Sequence, residues 1–237
     1  MIHKILHIPH SSNFIPNEFL SDYSITIDEL HNECVIMNDT HTGELVYGIL
    51  DSNIDIVKFE YSRVFCDVER FRGDGEIMNK IGMGILYENS HLLKPIRNVN
   101  YENKEKIFEI YDTYHNNLNN LAKERLETND NILLIDIHSY SDTPLEYELF
   151  KELKRPDICI GIDYYHMNEK LLNDILYIVS ISGFSYCINE PFKGCLIPSD
   201  YYGVDNRVNG FMFEINKKTL EKNFLKIKEL LICLTKI

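Results

Sequence analysis

Positive charge is in short supply in this chain of 237 residues. Its 24 lysines and arginines face 37 aspartates and glutamates, for a formal net charge of -13. Such a chain has no general grip on nucleic acid, whose phosphate backbone demands basic surface. Long apolar runs are missing too, and none approaches the ~20 residues that span a bilayer. Met1-Ile2-His3-Lys4-Ile5 leads directly into what reads as a core strand, so no export signal is expected. Cysteine pairing is absent: Cys34, Cys66, Cys159, Cys187, Cys195 and Cys233 show no C-x-x-C spacing. They read as buried free thiols in a reducing cytoplasm, and nothing marks one as a nucleophile. Gly73-Asp74-Gly75 and Gly82-Met83-Gly84 lack the G-x-G-x-x-G and Walker spacings, which excludes a familiar phosphate loop. No linker, repeat or shift in composition divides the chain, so one domain over 1–237 with one sizeable core is expected.

What is present centres on Ile132-Leu133-Leu134-Ile135-Asp136-Ile137-His138-Ser139. The run reads as a strand buried on both faces, ending in polar, turn-prone residues. Ligands of open α/β sheets bind at the carboxyl ends of strands, which is where His138 falls. Asp136 and His138 are two apart and share a face. His138 is either a structural histidine or a functional one. Ile5 to His10 reads as a first strand stopped by Pro9, which puts His10 at a strand end as well. Two strand-end histidines from distant parts of a chain outline a metal site. His3 and His7 are not at a strand end and read as structural or surface residues.

Thr26-Ile27-Asp28-Glu29 has the form of a capping box for a short helix. Asp39 reads either as the N-cap of a helix running to about Leu50 or as a carboxylate ligand, with His41 and Glu44 as competitors. Ile54–Phe59 reads as a strand. Arg63, Arg70 and Arg72 then fall within ten residues, suited either to holding carboxylates or to pairing with Asp67 and Glu69. The loop-rich stretch that follows is of a kind that tends to be functional. Ile107, Ile110, Tyr114, Leu118 and Leu121 place one apolar stripe on a long helix over 104–128, a core feature with no chemistry assigned. Ile158–Ile162 and Phe184–Ile188 read as strands, 168–180 as a helix, and 189–194 as a strand-end loop. In the last strand, 210–216, Glu214 interrupts an apolar run. It is either at a sheet edge or a candidate general base, since burying an unpartnered charge is costly. One amphipathic helix closes the chain.

The ordered set of these motifs resembles the N-formylglutamate amidohydrolase family over most of the chain. Pro9-His10-Ser11, Asp39, Ser62-Arg63, Asp67-x-x-Arg70, Met78, Gly82-Met83-Gly84 and Tyr87 carry the resemblance. So do Asp136-x-His138-Ser139, Asn189-x-Pro191-Phe192 and Glu214-x-Asn216. It implies an α/β fold, a three-layer sandwich with a mixed, mostly parallel central sheet, phosphorylase/hydrolase-like as in the zinc carboxypeptidases. It implies His10, Asp39 and His138 as ligands of one divalent ion, Zn2+ or another, with Glu214 as general base and Arg70 assisting catalysis. Arg63, Arg70, Ser139, Asn189 and Lys193 would bind a small N-acyl amino acid such as N-formylglutamate, with no nucleic-acid or membrane partner. Two positions depart from the family pattern. Glu69 stands where the family commonly has Asn, and would repel a substrate carboxylate if it faced the pocket. Lys193 stands where a Gly pair is usual. Related readings are a zinc peptidase or peptidoglycan-type amidase, for which an export signal is missing, and a catalytically silent metal- or ligand-binding protein.

Overall fold

The computed structural model describes residues 2–73, 75–98, 101–148, 151 and 153–237. Met1 and Asp74, which the sequence reading set before the first strand and in a glycine loop, lie outside them. Six strands form one sheet: β1 (Ile2–Ile8), β2 (Ile54–Lys58), β3 (Asn131–Tyr140), β4 (Ile158–Ile162), β5 (Tyr186–Ile188) and β6 (Val208–Asn216). Their order is β2-β1-β3-β6-β4-β5. All neighbours are parallel except β4 and β6. The sheet is therefore mixed and mostly parallel, as expected. β1, β3 and β6 are interior strands, so their carboxyl ends lie side by side.

Alternation along β3 sorts its side chains between two layers. Leu133, Ile135 and Ile137 pack with Ile175 and Val179 of α4 (Glu169–Ile181) and with Ile227 and Leu231 of α6 (Phe224–Leu234). Ile132 and Leu134 pack on the other face with Leu118 and Ala122 of α3 (Tyr101–Thr128). Helices on both faces make three layers. Fully burying a Leu or Ile contributes about 1.5–3 kcal/mol, so these two faces hold the sheet in register.

A third apolar cluster lies beyond the carboxyl ends of the strands. It joins Leu30, Cys34 and Met37 of α1 (Ile27–Met37) to Val64, Phe65, Val68, Met83 and Tyr87 from the irregular segment 59–98, and to Ile107 and Tyr111 of α3. The irregular segment thus has its own buried core and presents fixed side chains. Arg97 reinforces it by donating to the Phe65 carbonyl at 2.8 Å.

Local signals were obeyed or overridden in identifiable ways. The Thr26–Glu29 capping box forms, and the helix it starts runs for eleven residues. Asp39 is not an N-cap: α2 is only Thr42–Leu45, and its N-cap is His41, in the left-handed region at φ 66°. The closing helix is two helices, α5 (Lys217–Lys222) and α6, meeting at Asn223. Glu214 is on an interior strand rather than an edge.

Candidate metal centre

His10 directly follows the first strand turn, and its ring is buried. Its backbone carbonyl accepts a hydrogen bond from the Asp39 N–H at 2.9 Å, which ties the Asp39 loop to the end of β1. Ser139 points to the opposite face from His138 and donates its hydroxyl to the Thr40 carbonyl at 3.1 Å, fixing the same loop from β3. Lys217 completes the anchorage, its ammonium donating to the Asn38 carbonyl at 2.5 Å. Three elements distant in sequence therefore present Asp39 to the two histidines.

Nδ1 of His10 and Nδ1 of His138 are 3.3 Å apart. Asp39 Oδ2 lies 2.8 Å from the second and 3.6 Å from the first. Each ring gives its remaining nitrogen to another buried carboxylate. His10 Nε2 meets Asp67 Oδ1 at 2.9 Å, and His138 Nε2 meets Asp136 Oδ1 at 3.1 Å. Residues two apart on a strand do touch here. Glu69 also enters, with Oε1 at 3.2 Å from His138 Nε2 and Oε2 at 3.8 Å from His10 Nδ1. Two groups of ligand type stand out among the described residues, His10–Glu69–His138 and His7–Glu69–Asp136.

The electrostatics follow from crowding acids around imidazoles. Burial alone would disfavour charge on His138. Glu69, Asp136 and Asp39 outweigh it and hold the imidazole well above the usual histidine range. A pocket that raises a proton's affinity this way attracts metal cations by the same field. Burial likewise opposes charge on Asp67, but Arg63, Arg70 and His10 hold its carboxyl well below the ordinary range. Arg63 donates to Asp67 Oδ2 from Nη2 at 2.9 Å and from Nε at 3.2 Å, and Tyr87 donates to the same oxygen at 2.7 Å. Arg70 lies 3.6 Å from that oxygen and donates from Nε to the Met83 carbonyl at 3.3 Å.

Glu214 lies beside His138, its register partner across β3 and β6. Burial pushes its carboxyl up to about 8; His138 opposes the rise, and Asp39 and Glu69 add to it. Lys217 faces the same field. Burial lowers its pKa, against the pull of Asp39 and Glu214.

Other expected site residues are placed differently. His41 and Glu44 face each other at 3.6 Å on the surface, with side chains 43% and 49% exposed, so neither competes with Asp39. Asn189 spends its side-chain oxygen on the Ile162 N–H at 2.8 Å and the Gly194 N–H at 3.2 Å, shaping its loop. Lys193 is exposed. Arg72 pairs with Asp112 away from the centre. The cysteines are all free, and burial raises the Cys34 thiol to about 11 and that of Cys159 to about 12, far from a thiolate nucleophile.

The sequence reading missed the part that three residues play here. His7, read as structural or surface, is fully buried, its Nδ1 on Asp136 Oδ1 at 2.7 Å and its Nε2 on the Tyr114 hydroxyl at 2.6 Å. Tyr114 therefore leaves the plain apolar stripe and joins a chain running Tyr114–His7–Asp136–His138. Lys217 is the third. Alternation along β1 would have put His7 and Ile5 on one face; nothing local marked the other two.

A mixed α/β sandwich with imidazoles and carboxylates gathered at its strand ends fits a metal-dependent hydrolase. The chain belongs to the N-formylglutamate amidohydrolase family, whose model matches residues 2–220. It is an amidohydrolase acting on N-formylglutamate-like substrates, small N-acyl amino acids. Its fold is similar to that of N-formylglutamate amidohydrolase from Ralstonia eutropha JMP134, with TM-score 0.79 and 18% identity, covering 99% of this chain and 92% of that one. A gene product of Agrobacterium tumefaciens is similar at TM-score 0.64 and 16% identity, covering 98% of this chain and 90% of that one. No curated protein matches the chain. Among the described residues no helix is long and apolar enough to cross a membrane.

Proposed function

We propose that one zinc ion is held by His10 Nδ1, His138 Nδ1 and Asp39, and that the site it forms hydrolyses the amide of an N-formyl or other N-acyl amino acid. The observation that carries this reading is the spacing of 2.8, 3.3 and 3.6 Å among these three ligand atoms. Ligands about 2.0–2.2 Å from a tetrahedral zinc lie roughly 3.3 Å from one another. The donor chemistry fits as well. Each histidine has its other nitrogen on a carboxylate, which fixes the tautomer that leaves Nδ1 free to bind metal. Glu69 meets the Nε2 edge of His138, and one ion cannot use both edges of a ring, so Glu69 is read as a neighbour of the ligand set.

Bound there, the ion would polarise a carbonyl and bring the pKa of a coordinated water to about 7. The chain supplies the rest. Glu214 accepts the proton of the attacking water and returns it to the departing amine nitrogen. Arg63 and Arg70 stabilise negative charge developing on the carbonyl oxygen. Ser139 and Lys217 keep Asp39 in place, and Asn189 shapes the loop that bears Lys193 on the outer wall. We read the chain as one domain working in the cytoplasm, a setting in which its six free thiols persist.

Metal content and hydrolysis of a panel of N-formyl and N-acetyl amino acids, measured on one sample, test the proposal. Near-stoichiometric zinc and chelator-sensitive turnover are expected. Asp39→Ala should lose both. Glu214→Gln should keep its metal while kcat falls about 10²–10⁴-fold. A protein that takes up no zinc would overturn the ligand set, and a fully active Glu214→Gln would remove Glu214 from its role.

A further inference from the structure

Five carboxylates converge on this centre, and their partners are unequal. Asp67 is fully buried and takes Arg63, while Arg70 stands 3.6 Å away. Asp39 has the Arg63 Nη1 at 3.7 Å and the histidine rings beside it. Asp136 is held by His7 and by the Leu196 N–H at 3.0 Å. Glu214 stands opposite His138 in the register of β6 against β3. Among the described residues the Glu69 side chain meets only imidazole nitrogens, at 3.2 to 3.9 Å, and like Asp136 it forms no ion pair with lysine or arginine. Its side chain is also the most open of the five at 16% exposed, against 5% for Asp39, 2% for Asp136 and 0% for Asp67; Glu214 is 6% exposed as a residue.

Arg63 is committed to Asp67 through two hydrogen bonds, Arg70 lies 3.6 Å from it, and the carboxylate nearest solvent meets imidazoles alone. A substrate carboxylate entering here meets the charge of Glu69, and like charges repel. A substrate ammonium or guanidinium meets the opposite field. We propose that Glu69 sets specificity by pairing with a positive charge on the amine half of the substrate. The preferred class is then an N-formyl or N-acyl derivative of a basic amino acid or diamine, ahead of N-formylglutamate. This rests on the hydrolytic reading above and narrows it.

The test uses the zinc-loaded protein with Nα-formyl-lysine, Nα-formylglutamine and N-formylglutamate, in parallel for the parent and Glu69→Gln. The parent should show kcat/KM at least tenfold higher for formyl-lysine than for formylglutamate, with formylglutamine between. Glu69→Gln should shrink that ratio at least tenfold and make it less sensitive to salt. Calorimetric binding of the three compounds reports the preference whether or not they turn over. Preferential binding of formyl-lysine without hydrolysis would sink the amidohydrolase reading and sustain the charge pairing. Equal binding of all three, or a ratio that Glu69→Gln leaves unchanged, would overturn the pairing. Loss of zinc from Glu69→Gln would overturn it as well, because Glu69 would then be a ligand.

Discussion

Replacing Asp67 with asparagine removes one negative charge from a carboxylate that serves five donors. Oδ2 accepts from Arg63 Nη2 and Nε and from the Tyr87 hydroxyl, and Oδ1 from His10 Nε2 and the Glu69 N–H. Asparagine keeps the shape, but presents an NH2 where donors already point, and leaves the Arg63 guanidinium without its closest counter-charge. Breaking a buried pair from one side costs about 3–5 kcal/mol. Unfolding entropy of about 2.1 cal/mol/K per residue gives roughly 0.5 kcal/mol/K over a chain of 237 residues. The expected loss in Tm is therefore about 6–10 °C, read by circular dichroism. Zinc affinity should fall about 10–100-fold, because His10 loses the partner that fixes its tautomer. Combining Asp67→Asn with Arg63→Met should cost at least about 1 kcal/mol less than the sum of the single changes, since the two residues share one interaction. A Tm within 2 °C of the parent (roughly 1 kcal/mol on this scale), with unchanged zinc affinity, would refute the reasoning.

Two further outcomes are expected. Tyr114→Phe strips the hydroxyl from a buried His7 nitrogen 2.6 Å away and should cost about 1–3 kcal/mol in urea unfolding, with helix α3 otherwise intact; a neutral change would show that His7 is satisfied without it. Asp55, bonded by Arg125 and His3, has its carboxyl held below the ordinary range, chiefly by the Arg125 hydrogen bond. A depressed carboxyl means that the unfolded chain takes up the proton first as pH falls. Its contribution is full above the unfolded value near 3.9 and fades as pH drops toward the folded one. Being partly exposed, the pair is worth about 0.5 kcal/mol. Asp55→Asn should then trail the parent at pH 7 and converge with it near pH 3, a pattern that urea midpoints at the two values would reveal or deny.

Much of this architecture could be read in advance because it depends on short-range pattern. The apolar runs at 132–137 and 158–162 are too continuous for anything but buried strands, and the interruptions at Asp136, His138 and Glu214 flagged the site. His10 and His138 were legible for the same reason: each lies within two residues of the carboxyl end of a strand. Asp39 was seen for two reasons at once, and the local one failed because His41 takes the left-handed turn that starts α2. What stayed hidden depends on pairing across distance. His7 and Tyr114 meet across 107 positions, and neither carries a local sign of it. The segment 59–98 has no periodicity that would reveal which way a side chain points. The direction of Glu69 needed three dimensions, since only the neighbouring strands and helix α3 make it inward.

Helix α3 also moors the loop that carries Glu69. The His115 ring donates to the Val68 carbonyl at 2.8 Å, and the Tyr111 hydroxyl donates to the Arg70 carbonyl at 2.7 Å. The backbone on either side of position 69 is thus tied down by a 28-residue helix, while the Glu69 side chain bears no part of that load. A residue so placed behaves like an interchangeable tooth in a fixed key. A change of charge at position 69 therefore leaves the backbone that carries it in place, because that backbone hangs on α3 and not on the side chain.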